Sequence, residues 1–483
     1  MTIRPLIPCL LLLLSACASS STAASAKVKD SLKPLVYPTE PADMVLPTGS
    51  GTTVIDGATI LTAAGPSYSP GYIVLKDGKI EALGEGAAPK IEGATLIDAK
   101  GQCVTPGIID THSHMGVYSN PGVRAHSDGN EMVRPTTPEI WAEHAFWPQD
   151  PMLWRAVEGG ITTIQVLPGS GNLIGGRSFT AKLHPALSAR AMRFPDAPQG
   201  LKMACGENPK RVYGKRGGPQ TRMGNVYGYR RAFQKAREYQ YKQKSYARDF
   251  KNWESEHKTK GNKAGDPPSP PSRDFGLETL VGVLEGDILV HNHCYRADEM
   301  HIMLDLAQEF GFKIRSFHHA LEAYKLADRL AETDTASSTW ADWWGFKMEA
   351  FDGIPQNAAL LSHAGAKVII HSDSATEIRY LNHEAAKAKR SGKQIGLNLD
   401  DNEVLRWITA NPAWGLGILE QTGTLEKGKM ADVVIWNKHP FSVYAQTTHV
   451  FIDGKKVFDR TETPRLSDFE IGHPFDIFEE VAK

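Results

Sequence analysis

An excess of charge of either sign is the first thing this chain lacks. Its 483 residues carry 54 Lys and Arg against 55 Asp and Glu, a formal net charge of −1. A nucleic-acid partner, which a basic surplus would favour, is not expected. Long apolar runs are missing too: the stretch Leu6 to Leu14 is well short of the roughly 20 residues a membrane-spanning helix needs. Cysteine is scarce, with five in all. Cys9 and Cys17 lie in the N-terminal leader, which leaves Cys103, Cys205 and Cys294, an odd set with no paired spacing. A disulfide framework is therefore not expected, and these three read as small buried apolar side chains. Apolar residues make up 41 % of the chain, enough for a large core and a second domain.

The leader is a targeting segment. Arg4 precedes the Leu6–Leu14 run, and Leu14-Ser15-Ala16-Cys17 follows it. That tetrapeptide resembles a bacterial lipobox, which implies cleavage before Cys17 and acylation of its thiol. Residues 1–17 are read as the signal with its lipidated cysteine. Residues 18–50 are read as a tether, since Ala18 to Ala26 is almost entirely Ser, Ala and Thr. Ala18 rather than aspartate follows the cysteine, which in lipoproteins implies the outer membrane. The expectation is a periplasm-facing or surface lipoprotein of a bacterium, held to the membrane through Cys17.

Beyond the tether, two Asp-Gly-Lys turns stand near opposite ends of the chain, at Asp77-Gly78 and Asp453-Gly454. Each interrupts a strand-like pattern, and Asp-Gly is a strong hairpin signal. The economical reading is a small β-sandwich built from residues 51–106 and 411–483. Between them, over 107–410, short apolar runs alternate with helical patterns, as expected of a parallel α/β sheet. From His112 to the last run is about 260 residues, the usual extent of a (β/α)8 barrel. Tyr229 to His257, rich in charge, reads as a solvated helix, and Pro267 to Pro271 as a stiff loop.

Several of these runs end in metal-ligand residue types. His112-Ser113-His114 closes Val104 to Thr111, and on a strand residues i and i+2 share a face. His291-Asn292-His293, His318-His319 and His371-Ser372-Asp373 close three more. The C-terminal edge of the strands is where barrel enzymes place their chemistry. Two other motifs do not carry the nucleotide-binding function they suggest. Gly423 to Lys429 matches a phosphate loop except that Met430 replaces the hydroxyl residue and a strand follows. Pro168 to Gly176 lacks the third glycine of a dinucleotide loop and reads as a βα loop at the barrel mouth.

The string Val104 to Gly116 resembles the first barrel strand of the amidohydrolase superfamily. The resemblance extends over His319 to Lys325, His371 to Ser374, Thr409 to Ala413, Gly423 to Lys429 and Ala431 to Val434. It is closest to the imidazolonepropionase-like branch, which includes prolidase-like dipeptidases. It implies a (β/α)8 barrel holding one or two divalent metal ions. His112 and His114 would be first-strand ligands, His319 the sixth-strand ligand and Asp373 the eighth-strand aspartate. The fifth-strand ligand would be His293 or His291, with His293 favoured because Tyr295 and Arg296, read as substrate-binding, stand beside it. On the fourth strand Glu207 is preferred over Lys202, which relatives carboxylate to bridge two metals. Nitrogen and oxygen donors suit zinc, with iron and manganese compatible.

The implied chemistry is hydrolysis of an amide in a dipeptide or cyclic amide. Asp373 would be the base, and His319 would steady the developing oxyanion. Two other readings stand beside it: a one-metal heterocycle deaminase, and a lipid-anchored binding protein that has lost turnover. Self-association into a homo-oligomer is compatible with the sequence. The anchor can be tested directly. Cys17→Ser is expected to release the protein from the membrane fraction or to block its processing, checked by cell fractionation and fatty-acid labelling. Equal membrane retention of the variant would point to another anchor.

Overall fold

The computed structural model describes residues 49–462. The leader, Cys17 and most of the tether lie outside this range, as do residues 463–483. In chain order the strands are β1 (Thr52–Leu61), β2 (Ser67–Lys76), β3 (Lys79–Glu85), β4 (Thr95–Asp98) and β5 (Cys103–Pro106). Next come β6 (Ile108–Ser113), β7 (Ile161–Val166), β8 (Ile174–Lys182), β9 (Gly200–Ala204) and β10 (Leu289–Cys294). The last are β11 (Ile314–His319), β12 (Ala336–Thr339), β13 (Val368–Ile370), β14 (Val433–Trp436), β15 (Thr447–Ile452) and β16 (Lys455–Asp459).

Strands from both ends of the chain do form one unit. Its sheet runs β16-β15-β14-β5-β1-β2-β3, with β4 pairing β1 in parallel. Both Asp-Gly turns lie where expected, with positive φ at Asp77, Gly78, Asp453 and Gly454. A tight hairpin that follows strand twist demands φ > 0 at both central residues, which Asp-Gly tolerates. The expected sandwich of two sheets is corrected here: all eight described strands belong to one hydrogen-bonded sheet. Its ends converge, because Ile80 N donates to Lys429 O at 2.9 Å and Gly454 packs on Gly78. Ile55, Ile60, Ile73, Leu75, Val104, Val433 and Phe451 fill the core between them.

The second sheet, β6 to β13 in sequence order, is the barrel. It departs from a uniform parallel sheet at one strand, since β8 runs antiparallel to both β7 and β9. Only a short link joins β7 to β8, too short for a parallel crossover, which needs a dozen residues or more. Pro168 to Leu173 is therefore part of a ββ connection, not a βα loop. Across the seam between β13 and β6, Asp373 N donates to His112 O at 3.0 Å and Ser372 N to Asp110 Oδ1 at 3.3 Å. Below it, Ile370 N and Ile109 N donate to the carbonyls of Trp407 and Ile408, each at 2.9 Å.

The segment expected as a solvated helix is a helix from Arg222 to Lys260, but one face is buried through Tyr229, Phe233, Ala236 and Tyr239. Phe233 stacks on Phe312 at 4.4 Å, so the helix packs on the barrel instead of standing free. The cysteines also differ from expectation, because Cys205 and Cys294 form a disulfide with Cα atoms 5.1 Å apart. They lie 89 residues apart in sequence and meet only because β9 and β10 are hydrogen-bonded neighbours. Cys103 stays free and buried.

Where the two sheets meet, the backbone passes from β5 to β6 through Gly107 alone. A Cβ there would lie 2.2 Å from Thr162 Oγ1, so only glycine fits. The junction is pinned by Lys182, buried at the end of β8. Its Nζ is 3.1 Å from Asp432 Oδ1 and also pairs with Asp453. His184 Nε2 lies 3.1 Å from Asp453, and Thr422 Oγ1 donates to Asp432 at 2.7 Å. Lys182→Ala would strand two buried carboxylates without their cation. A loss of about 3–5 kcal/mol is expected in chemical denaturation, partly recovered by combining Lys182→Met with Asp453→Asn.

Candidate metal centre at the barrel mouth

The site begins with the strand pleat. His112 and His114 leave β6 on one face, and their Nε2 atoms stand 3.2 Å apart. Their other ring nitrogens fix the rings. His114 Nδ1 meets the Leu167 carbonyl at 2.8 Å, and His112 Nδ1 lies 2.9 Å from His318 Nδ1. Asp373 Oδ1, just past β13, lies 3.3 Å from His114 Nε2 and 3.5 Å from His112 Nε2. A second group, His112, His319 and His371, also has one ligand atom from each within 4.8 Å of the others.

Lys202, not Glu207, is the fourth-strand residue at this cluster: its Nζ is 3.2 Å from His112 Nε2. The preference for Glu207 is corrected because Gly206, at φ +79, turns the chain out of the strand before it. Glu207 opens a helix instead and faces Lys347 Nζ at 3.7 Å. On the fifth strand the two histidines lie at different depths. His291 Nδ1 meets His318 Nε2 at 3.0 Å, while the His293 ring packs on His319 at 4.4 Å. Neither belongs to the two tight groups. Tyr295 stacks on His319 at 4.9 Å. Arg296 is not brought to the site, because its guanidinium is paired with Asp298 at 2.9 Å.

Sequence reasoning gave no role to His371, His318 or Trp340. The strand-end rule that singled out Asp373 applies equally to His371, two residues earlier. Trp340, 4.5 Å from the His319 ring, had no such signal because β12 ends in no ligand type.

Burial dominates the electrostatics. Desolvation, reinforced by the positive charge of Lys202, holds the imidazoles of His112, His293, His318 and His319 well below their ordinary range. His291 and His371 are lowered to about 3 by the same burial. These rings are neutral, which is the form that ligates a cation. Burial lowers Lys202 to about 7 although Asp373 opposes it, and raises Asp110 to about 7. Burial pushes Asp373 up, but the hydrogen bond from His114 and the electrostatic attraction of His114 and Lys202 outweigh it, so its carboxyl titrates below the usual range.

The residues fit a divalent metal. Donors at 2.0–2.1 Å around one tetrahedral ion stand about 3.4 Å from each other, and the His112, His114 and Asp373 donors stand 3.2 to 3.5 Å apart. His319 Nδ1 and His371 Nδ1 are buried without a hydrogen-bond partner, a state that a cation would relieve. At His319 and Asp373 the backbone itself is in the left-handed region, φ +71 and +50. Such strain in a non-glycine residue persists where surrounding structure enforces it, and it clusters at functional sites.

Fold and site together define an α/β barrel whose C-terminal mouth can hold a metal ion. Comparison with known proteins narrows this further. The solved structure of an amidohydrolase from Thermotoga maritima is 31 % identical, with a TM-score of 0.74 over 84 % of this chain and 100 % of that one. The amidohydrolase tasK of Hapsidospora irregularis is 35 % identical over 368 residues, 73 % of this chain and 36 % of tasK. The imidazolonepropionase of Thermoplasma volcanium is 30 % identical over 163 residues, 32 % of this chain and 39 % of that protein. This chain thus spans less than half the length of these two curated relatives. A family model described as the amidohydrolase family matches residues 340–458. The chain belongs to the amidohydrolase superfamily.

The fourth-strand assignment has a direct check. Lys202→Arg is expected to lower bound metal and nearly abolish hydrolysis, whereas Glu207→Gln should keep most of its metal. Metal content of the two purified variants, measured side by side, reads the result. The opposite ranking would restore Glu207.

Proposed function

We propose that the protein hydrolyses the amide bond of a small molecule, a dipeptide or a cyclic amide, with a divalent metal, zinc by preference, at the barrel mouth. The observation that carries this reading is the convergence of His112, His114 and Asp373 at 3.2–3.5 Å, beside His319, His371 and Lys202. His112, His114, His319, His371 and Asp373 would hold the metal, with Lys202 reaching His112 from the fourth strand. When bound, the metal supplies a Lewis acid for the carbonyl and lowers the pKa of water from 15.7 to roughly 7.

The protein's own groups do the rest. Asp373 is the one carboxylate in the tight cluster, 27 % exposed and therefore open to the mouth. Its low pKa keeps it deprotonated at neutral pH, ready to take the proton of the attacking water and return it to the leaving nitrogen. His319, neutral and held by the rings of Tyr295 and Trp340, steadies charge on the carbonyl oxygen. His293 and Asn208, 3.4 Å apart at the rim, orient the polar part of the substrate.

We propose further that the protein works outside the cytoplasm, anchored at Cys17 to the outer membrane. The lipobox-like tetrapeptide supports this, and so does the Cys205–Cys294 disulfide, since disulfides persist in oxidising compartments.

The role of Asp373 separates catalysis from mere structure. Asp373→Asn keeps the shape and some coordinating power but removes the basic carboxylate. It is expected to retain much of its metal and its fold, yet to lose turnover by roughly 10²–10⁴-fold. Near-normal hydrolysis by folded, metal-loaded Asp373→Asn protein would overturn the mechanism.

A further inference from the structure

Amide hydrolysis by itself asks nothing of Trp343 or Phe346, yet the segment after β12 brings both to the mouth beside Trp340. Trp340 stacks on the His319 ring at 4.5 Å, and Trp343 continues the stack 5.2 Å beyond. Phe346 meets Tyr295 and Trp340 edge to face, at 6.2 and 6.0 Å. It is nevertheless 56 % exposed. An aromatic ring half in water beside a polar reaction centre leaves apolar surface that a ligand could cover.

The segment is held in place at both ends. Trp340 Nε1 donates to the Ser372 carbonyl at 2.9 Å, tying it to the strand end that carries Asp373. Buried Glu349 pairs with Arg222 and lies 3.4 Å from Lys347 Nζ, and it fills the space left by Gly206, where a Cβ would come within 2.5 Å of its carboxylate. Phe346 is thus presented at a fixed position. The far side of His293 differs in character: there Asn208 Nδ2 donates to Ser170 Oγ at 2.8 Å, which leaves a polar wall. The mouth is aromatic on one side and polar on the other.

We propose that the aromatic side is a side-chain subsite, and that the substrates are amides carrying an aromatic or large aliphatic group next to the scissile bond. Phe346 sets this preference, with Tyr295 and Trp340 as the floor of the subsite. The inference rests on the amide-hydrolase reading above. A substrate whose carbonyl lies against His319 has its neighbouring side chain within one ring's breadth of Trp340 and Phe346. An apolar group gained or lost in such a pocket changes kcat/KM by roughly ten- to hundred-fold.

The test uses the metal-loaded protein and a matched series of linear and cyclic dipeptides, with Phe, Leu, Ala and Asp placed in turn at each position. Phe and Leu are expected to exceed Ala and Asp by roughly ten- to hundred-fold in kcat/KM at one position. Phe346→Ala should collapse the Phe-to-Ala ratio while metal content and circular dichroism stay as in the parent protein. Binding of N-acetylphenylalanine against N-acetylalanine, read by tryptophan fluorescence, should show the same preference and lose it in the variant. Cleavage of Ala and Asp substrates as well as Phe, or an unchanged ratio in Phe346→Ala, would overturn the subsite and leave amide hydrolysis standing. No cleavage of any member of the series would overturn the amide reading itself.

Discussion

Closure of the barrel between its first and last strands is the constraint on which the site depends. His112 belongs to β6, His114 follows it directly, and Asp373 follows β13; 259 residues separate His114 from Asp373 in sequence. They meet because Asp373 N donates to the His112 carbonyl and because the buried Asp110 carboxylate receives Ser372 N and Ser372 Oγ together with His112 N. Taking a carboxylate out of water is unfavourable unless its lone pairs are met. Asp110 meets them with groups from both strands, so satisfying it requires the seam to close. The same closure fixes the distance between the donor atoms of the proposed metal centre.

A second constraint is the density of imidazole in one desolvated interior. His291, His318 and His112 form a hydrogen-bonded chain that rises through the barrel, and His319, His371 and His293 gather around its upper end. Protonating several of them together would place like charges a few ångströms apart beside Lys202. They are therefore kept neutral, with lone pairs free for a cation. The barrel thus holds a site suited to a cation by making its own positive charge unfavourable. The aromatic rings of Tyr295 and Trp340 close one flank of this cluster and limit the access of water to His319.

The sheet of terminal strands serves the barrel from below. Gly107 lets the chain cross from one sheet into the other with no linker, and Lys182 ties barrel strand β8 to Asp432 and Asp453 of the terminal strands. Strands from both sides of the barrel in sequence thus converge on its floor, opposite the mouth. The buried ions there satisfy one another, and removing one partner is worse than never having had the pair.

How much of this was legible follows from what is local. A period of two puts His112 and His114 on one face, Asp-Gly turns specify the hairpins at 77–78 and 453–454, and apolar runs ending in histidine or aspartate mark strand ends at a barrel mouth. Each needs only neighbours in sequence, so each could be read from it. The antiparallel course of β8, the Cys205–Cys294 pair and the choice of Lys202 over Glu207 at the cluster depend on which strands lie side by side and on where a turn ends a strand. Glu207 looked better placed than Lys202 in sequence, but Gly206 turns the chain out of the strand before it, and Trp340 had nothing beside it in sequence to mark it. The sequence by itself determined the donor types, their strand-end positions and the superfamily they resemble. Only the tertiary structure decided which donors share a space a few ångströms wide, because that distance is set by closing a sheet over some 260 residues and not by any interval along the chain.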